Sequence, residues 1–256
     1  MAMPDNEKRL ALLIDADNAP ASKIDVILAE IARHGVANVR RAYGNWKSQH
    51  LNGWEKVLHT YAIRPIQQFA YSTGKNASDM AMVIDAMDLL YARNLDGFAI
   101  VSSDADFTPL VMRLRNDGVA VYGFGEEKTP EPFVKACSVF LYLEKLGAPE
   151  EARDASVANP RARSTRDLQG DAALARILRN AVDAAQGDDG WSHLGAVGSH
   201  ISNQGSFDSR NYGYRKLSDL IEATGLFESQ KNGPSLSIRA KKPATPRKRA
   251  RKKAAG

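Results

Sequence analysis

The sequence predicts an α/β fold, a parallel sheet sandwiched by helices, followed by a small winged helix-turn-helix domain. Three observations predict it. Short apolar runs alternate with helical periodicity between residues 10 and 144. The rhythm stops in a stretch rich in Pro, Gly, small and charged residues. Short helical patterns then return and end in a pair of strand-like segments.

The strand candidates are 10–15, 38–43, 63–69, 98–102 and 119–124, with a last short strand at 139–143. Continuous apolar runs of this length are expected of strands buried on both faces. Helical patterns fill the intervals at 22–34, 53–61, 78–94 and 106–117. Ser22 with Asp25 reads as a capping box, and Pro109 suits a first helical turn. Gly35 and Gly118 stand where helices stop. The β-α-β-α order places helices on both faces of a parallel sheet. Beyond it, helices are expected at 172–185, 193–202 and 214–223. Strands at 226–229 and 235–238 flank Asn232-Gly233, a hairpin signal. The expected organisation is a first domain over 8–146, a linker over 147–167, a second domain over 168–240 and a disordered basic tail over 241–256.

Composition narrows the function classes. Hydrophobic residues make up 43% of the 256 positions, enough for a core. No apolar run reaches the roughly 20 residues that cross a bilayer, and no leader pattern opens the chain. Cys137 is the single cysteine, so neither an internal disulfide nor a thiolate metal site is available. Its apolar neighbours suit a buried, inert thiol, and the expected compartment is the cytoplasm. The net charge of +5 includes nine Lys and Arg from Arg239 onward with no acidic residue among them; the remainder carries −4. A basic arm of this kind attracts phosphate backbones.

The chemistry sits in aspartates. Ile14-Asp15-Ala16-Asp17-Asn18 ends the first strand, and Val101-Ser102-Ser103-Asp104-Ala105-Asp106-Phe107 ends the fourth. Ala77-Ser78-Asp79 opens the third helix. Singly, each aspartate is an ordinary cap or loop residue. Jointly, Asp15, Asp79, Asp104 and Asp106 fall on one sheet edge, where open α/β sheets bind ligands. Such a group repels itself without a cation, and all-oxygen donors suit Mg²⁺ or Mn²⁺. No histidine pair has zinc spacing. Asp85 lies about 120° around the helix from Asp79, so it can serve only behind the site, and Asp88 faces solvent. Asp17 reaches either the metal or water.

These motifs resemble those of NYN domains, a branch of the PIN-like nuclease superfamily. The match runs from about residue 8 to 145 and rests on the two aspartate motifs together with Lys75-Asn76-Ala77-Ser78-Asp79-Met80 and the helix that continues to Met87. The resemblance implies metal-dependent phosphodiester cleavage of RNA. Asp15, Asp79, Asp104 and Asp106 would be metal ligands, Asn18 a further catalytic group, and Asp85 an additional acidic position. Ser103 stands where many members carry Gly. A second resemblance, to OST-HTH/LOTUS winged-helix domains, spans about 168–240. It rests on Gly190-Trp191-Ser192-His193, Phe207 and Tyr212-Gly213-Tyr214-Arg215-Lys216-Leu217, with Leu220-Ile221 and Phe227. It implies RNA binding and contacts with protein partners.

Candidate nucleic-acid contacts are Arg40, Arg41, Trp46 and Lys47 after the second strand, Lys75 before Asp79, and Arg210, Arg215 and Lys216 beside the predicted recognition helix. Trp46 can equally be a lid on the next helix, and Phe207, Tyr212, Leu217 and Phe227 read as core. The leading expectation is a metal-dependent endoribonuclease targeted by its second domain. The competing one is a nonenzymatic RNA-binding regulator. A haloacid-dehalogenase-type phosphatase is a distant third: Asp15-Ala16-Asp17 resembles its nucleophile motif, but Ala19 replaces the expected threonine.

Overall fold

A computed structural model of the chain describes residues 7–69, 77–92, 94–147, 162–232 and 235–241. Two compact units form: Met1–Arg163 with Ile201–Leu217, and Ser164–His200 with Ser218–Gly256. Lys75, most of the expected linker, Gly233 of the hairpin turn and nearly all of the basic tail lie outside the described residues.

The first unit is built on β1 (Arg9–Asp15), α1 (Ile24–Ile31), β2 (Val36–Gly44), α2 (Asn52–Leu58), β3 (Arg64–Gln67), α3 (Ala77–Tyr91), β4 (Gly97–Val101), α4 (Thr108–Asn116), β5 (Ala120–Gly125), α5 (Glu131–Ala136) and β6 (Val139–Tyr142). The six strands pair in the order β3-β2-β1-β4-β5-β6, every pair parallel. The chain winds outward from β1 to β3, crosses back to β4, and winds outward again. β1 and β4 therefore flank the topological switch point, where connections leave in opposite directions and open a crevice.

Both faces of β1 are buried, as its continuous apolar run requires. Leu10, Leu12 and Ile14 pack with Ile24, Ile27 and Ile31 of α1 and with Trp54 and Leu58 of α2. Ala11 and Leu13 face Met82, Ala86 and Leu90 of α3, the α4 residues Leu110, Val111 and Leu114, and Phe133 of α5. The sheet is thus sandwiched between α1 and α2 on one side and α3, α4 and α5 on the other.

Local signals succeed unevenly. Pro109 lies in the first turn of α4, and Gly118, at φ 82°, supplies the left-handed residue just past its end. Gly35 is required by a close approach: a Cβ there would stand 2.2 Å from the Lys8 carbonyl oxygen. The capping box does not form. A 3-10 turn over Ala21–Lys23 precedes α1, Ser22 caps nothing, and the Asp25 carboxylate accepts the Tyr61 hydroxyl instead. The helix expected over 106–117 likewise starts as a 3-10 turn, Ala105–Phe107, capped by Asp104.

Residues 201–217 belong to the first unit, although the chain order assigned them to the second domain. Asn211 explains part of this. Its amide donates to the Phe140 carbonyl at 2.8 Å and accepts from the Tyr142 N–H at 3.2 Å, satisfying the otherwise open edge of β6.

The second unit contains α6 (Thr165–Gly170), α7 (Ala172–Ala184), β7 (Ser192–His193), the start of α8 (Leu194–Gln204), α9 (Leu217–Thr224), β8 (Phe227–Asn232) and β9 (Ser235–Ala240). β9 pairs antiparallel with β8 on one side and with the two-residue β7 on the other. Leu174, Leu178, Val182, Val197, Leu220, Ile221, Phe227 and Ile238 are buried, while Phe207, Tyr212 and Leu217, expected as core, are half-buried and belong to the first unit. No helix among the described residues is long and apolar enough to cross a membrane.

Candidate active site

Asp15 is the last residue of β1 and is 1% exposed. Ser102, just past β4, donates its hydroxyl to Asp15 Oδ2 at 2.8 Å, and the Asn18 side-chain amide donates to the same oxygen at 3.0 Å. Among the described residues, Asp15 Oδ1 is buried with no hydrogen-bond partner. Burial raises the acid's pKa; the bonds from Asn18 and Ser102 oppose the rise and the Asp17 charge adds to it. An orphaned buried carboxylate oxygen is costly, and a cation is one way to satisfy it.

Ser102 is also the link to the next aspartate, because its Oγ accepts the Asp104 N–H at 3.1 Å. Asp104 in turn accepts the Asp106 N–H at 2.8 Å and so shapes the turn that opens toward α4. Ser103, at the position where relatives often carry Gly, is not idle: its Oγ accepts the Glu126 N–H at 2.8 Å. Asp106 is exposed.

Asp79 lies in the first turn of α3. Its pKa is pushed up from 3.8 to about 6, first by burial, then by the charges of Asp15, Asp104, Asp17 and Asp106. Five carboxylates from three separate chain segments therefore share one electrostatic neighbourhood. Asp17 joins through Ser78, whose hydroxyl donates to Asp17 Oδ2 at 3.0 Å. The sequence left Asp17 undecided, and its spacing two residues past Asp15 was the available signal. Ser102 was missed altogether, since a serine beside two aspartates carries no distinctive pattern.

The chemistry of this group fits a divalent cation held by oxygens. The carboxylates are mutually repelling, and one oxygen is orphaned among the described residues. Among the described residues, however, no three acidic or imidazole side chains already converge as a ready ion cage. Mg²⁺ retains several waters and needs only one or two carboxylates, so convergence of that kind is not required for it.

The expected nucleic-acid contacts divide. Arg40 donates to the carbonyls of Ala37 and Tyr61, at 3.0 and 2.9 Å. Arg41 and the Tyr43 hydroxyl both bond Asp85, which ties α3 to β2 and accounts for that carboxylate behind the site. Arg210 bonds Asp208 and Glu30 within the first unit. All three guanidiniums bond other groups of the protein. Trp46 is half-buried and donates its indole N–H to the Ile66 carbonyl of β3 at 3.0 Å. Lys47, Arg215 and Lys216 are exposed, and so is Asp88.

Comparison with known proteins finds two family matches along the chain. The NYN domain matches residues 9–144 and the OST-HTH/LOTUS domain matches 169–238. An uncharacterised protein of Methanocaldococcus jannaschii, MJ0482, is 30% identical over 125 residues, which cover 47% of this chain and 49% of that protein. The match thus spans about half the length of that relative. Among solved structures, a protein of unknown function from Vibrio parahaemolyticus, VPA0982, aligns with TM-score 0.45 and 16% identity, over 55% of this chain and 96% of its own. An uncharacterised protein from Nitrosomonas europaea, NE0665, aligns with TM-score 0.27 and 27% identity, over 39% of this chain and 94% of its own. NYN domains are PIN-like nucleases, and OST-HTH domains bind RNA. The chain belongs to the NYN domain family, and an OST-HTH/LOTUS domain follows the NYN domain in sequence.

Proposed function

We propose that the protein is a metal-dependent endoribonuclease that hydrolyses RNA phosphodiester bonds and is targeted by its OST-HTH domain. The observation that carries this reading is the carboxylate group at the switch point, with Asp15 Oδ1 unpartnered and the Asp79 pKa raised by its neighbours. A protein that only binds RNA gains nothing from aiming carboxylates at phosphates.

Asp15, Asp79, Asp104 and Asp106 would hold Mg²⁺ or Mn²⁺. When bound, such an ion supplies positive charge at the phosphate and lowers the barrier to attack by water. The chain's own residues set the stage. Ser102 and Asn18 fix the Asp15 carboxylate through Oδ2 and leave Oδ1 open. Asp104 orders the turn that carries Asp106. Asn18 is exposed, so its amide can also meet a phosphate oxygen. Of the candidate contacts, Lys47, Arg215 and Lys216 are exposed and could meet the RNA backbone, and the basic C-terminal residues add nonspecific attraction.

One observation favours the competing reading of a nonenzymatic RNA-binding regulator: no three donors already converge among the described residues. Substituting Asp15 and Asp104 by Asn separates the two. Loss of cleavage with retained RNA binding supports the enzyme; binding without cleavage by the wild type supports the regulator.

A further inference from the structure

We propose that Phe69 and Lys47 form a base-stacking subsite for an unpaired nucleotide of the RNA; the inference rests on the nuclease reading and deepens it. Phe69 follows β3, the outermost strand, and is 46% exposed. The Lys47 ammonium stands 4.9 Å from the Phe69 ring centroid, and among the described residues it pairs with no carboxylate. One side of the ring thus meets a cation, and much of the rest is open to solvent. An aromatic surface with an adjacent unpaired cation is the combination that single strands use, the ring taking a base and the cation its phosphate.

The surroundings hold this pair in place. The Trp46 N–H donates to Gln67 Oε1 at 2.9 Å, and the Gln67 amide donates to Asn45 Oδ1 at 3.0 Å and to the Gln68 carbonyl at 2.9 Å. The Gln68 N–H reaches the Gly44 carbonyl at 3.2 Å. Lys47 and Phe69 therefore extend from two cross-linked strand ends rather than from free loops.

Those ends lie on the same edge as the carboxylates. Gly44 pairs with Gln67 across β2 and β3. Gly44 also lies against Asp17: a Cβ there would stand 3.3 Å from Asp17 Oδ1. β3 is two strands from β1, about 10 Å along the sheet, a span that a short run of nucleotides covers. A phosphate at the aspartates would leave a neighbouring base over Phe69. Stacking recognises the face common to all bases, so the subsite selects single-stranded over duplex RNA and shows little sequence preference.

The test uses the full chain carrying Asp104→Asn to prevent cutting, and a short single-stranded RNA with 2-aminopurine placed at each position in turn. The expected result is quenching at one position, lost in Phe69→Ala and kept in Phe69→Trp. Phe69→Ala should weaken binding about 5- to 150-fold, and Lys47→Ala should weaken it less and flatten its salt dependence. Unchanged affinity and quenching in Phe69→Ala would overturn the subsite, as would the absence of RNA binding by any form. Cleavage by the otherwise unsubstituted protein is scored in parallel. Position-specific quenching without cleavage supports the subsite and sinks the nuclease; cleavage with unaltered Phe69→Ala binding does the reverse.

Discussion

Replacing Asp79 by Asn should make the metal-free protein more stable while disabling its metal site. Asp79 is half-buried, and its pKa is pushed from 3.8 to about 6 by burial and by Asp15, Asp104, Asp17 and Asp106. A carboxyl raised in the folded state keeps its proton longer than in the unfolded chain. Stability therefore falls as pH rises above 3.8, and the loss is complete above about 6. The full difference corresponds to about 3 kcal/mol. Solvent reaching the carboxyl reduces this to about 1–2 kcal/mol, and the lost charge at the start of α3 takes back about 0.5 kcal/mol. The net expectation for Asp79→Asn at pH 7.5 in EDTA is a gain of about 1 kcal/mol, or roughly 2–4 °C in melting temperature. Below pH 4 the gain should vanish. Added Mn²⁺ should raise the wild-type melting temperature, by about 2.7 kcal/mol of stabilisation at a hundredfold excess over Kd, and should leave the variant nearly unmoved. Thermal melts over pH 3.5–8, with EDTA or Mn²⁺, measure all of this. An Asp79→Asn variant less stable than wild type in EDTA at pH 7.5, or equally responsive to metal, would refute the reasoning.

Three further expectations follow from the same structure. Glu30 is 5% exposed; burial raises its pKa, but the neighbouring His34 ring and the bonds from Arg210 and Arg33 outweigh that and pull it down to about 2. Its contribution is present above pH 4.5 and lost as pH falls toward about 2, so Glu30→Gln should cost about 2–3 kcal/mol at pH 7 and little at pH 2, read from urea unfolding at each pH. Ser102→Ala removes the hydroxyl that joins Asp15 to the Asp104 backbone. It should cost about 1–3 kcal/mol of stability and lower kcat more than it raises KM for RNA. Cys137 is buried, and burial pushes its thiol up to about 12. It should resist a thiol reagent in the native protein and react within the dead time in denaturant.

The parts of the fold written in local pattern were legible beforehand. Apolar runs marked β1, β4 and β5, because strands buried on both faces must be apolar almost throughout; β2 and β3 carry arginines and are only partly buried. The aspartates at the ends of β1 and β4 were legible for a related reason: a charged residue directly after such a run has only the sheet edge to occupy. Of the four residues read as core of the second domain, Phe227 is buried, whereas Phe207, Tyr212 and Leu217 are only half-buried. Short elements held by distant partners were not readable. α5 and β7 exist through packing and pairing rather than propensity. The Ser22 capping box lost to a 3-10 turn, and Asp25 went to Tyr61. The largest gap concerned cations. Arg40, Arg41 and Arg210 looked like RNA contacts, yet their partners lie across the sheet or far along the chain. Sequence shows a guanidinium and says nothing of the carbonyl or carboxylate it bonds. Asp85 was placed behind the site by helical angle alone, but its bonds to Arg41 and Tyr43 required the packing of α3 on β2.

The most direct measurement is cleavage of an end-labelled single-stranded RNA by the full chain with Mn²⁺ or Mg²⁺, beside Asp104→Asn and an EDTA control. The account predicts internal cutting that requires the metal and falls at least a hundredfold, by order of magnitude, in Asp104→Asn. Equal cutting by both proteins, or RNA bound by the wild type with metal present and left intact, would contradict it.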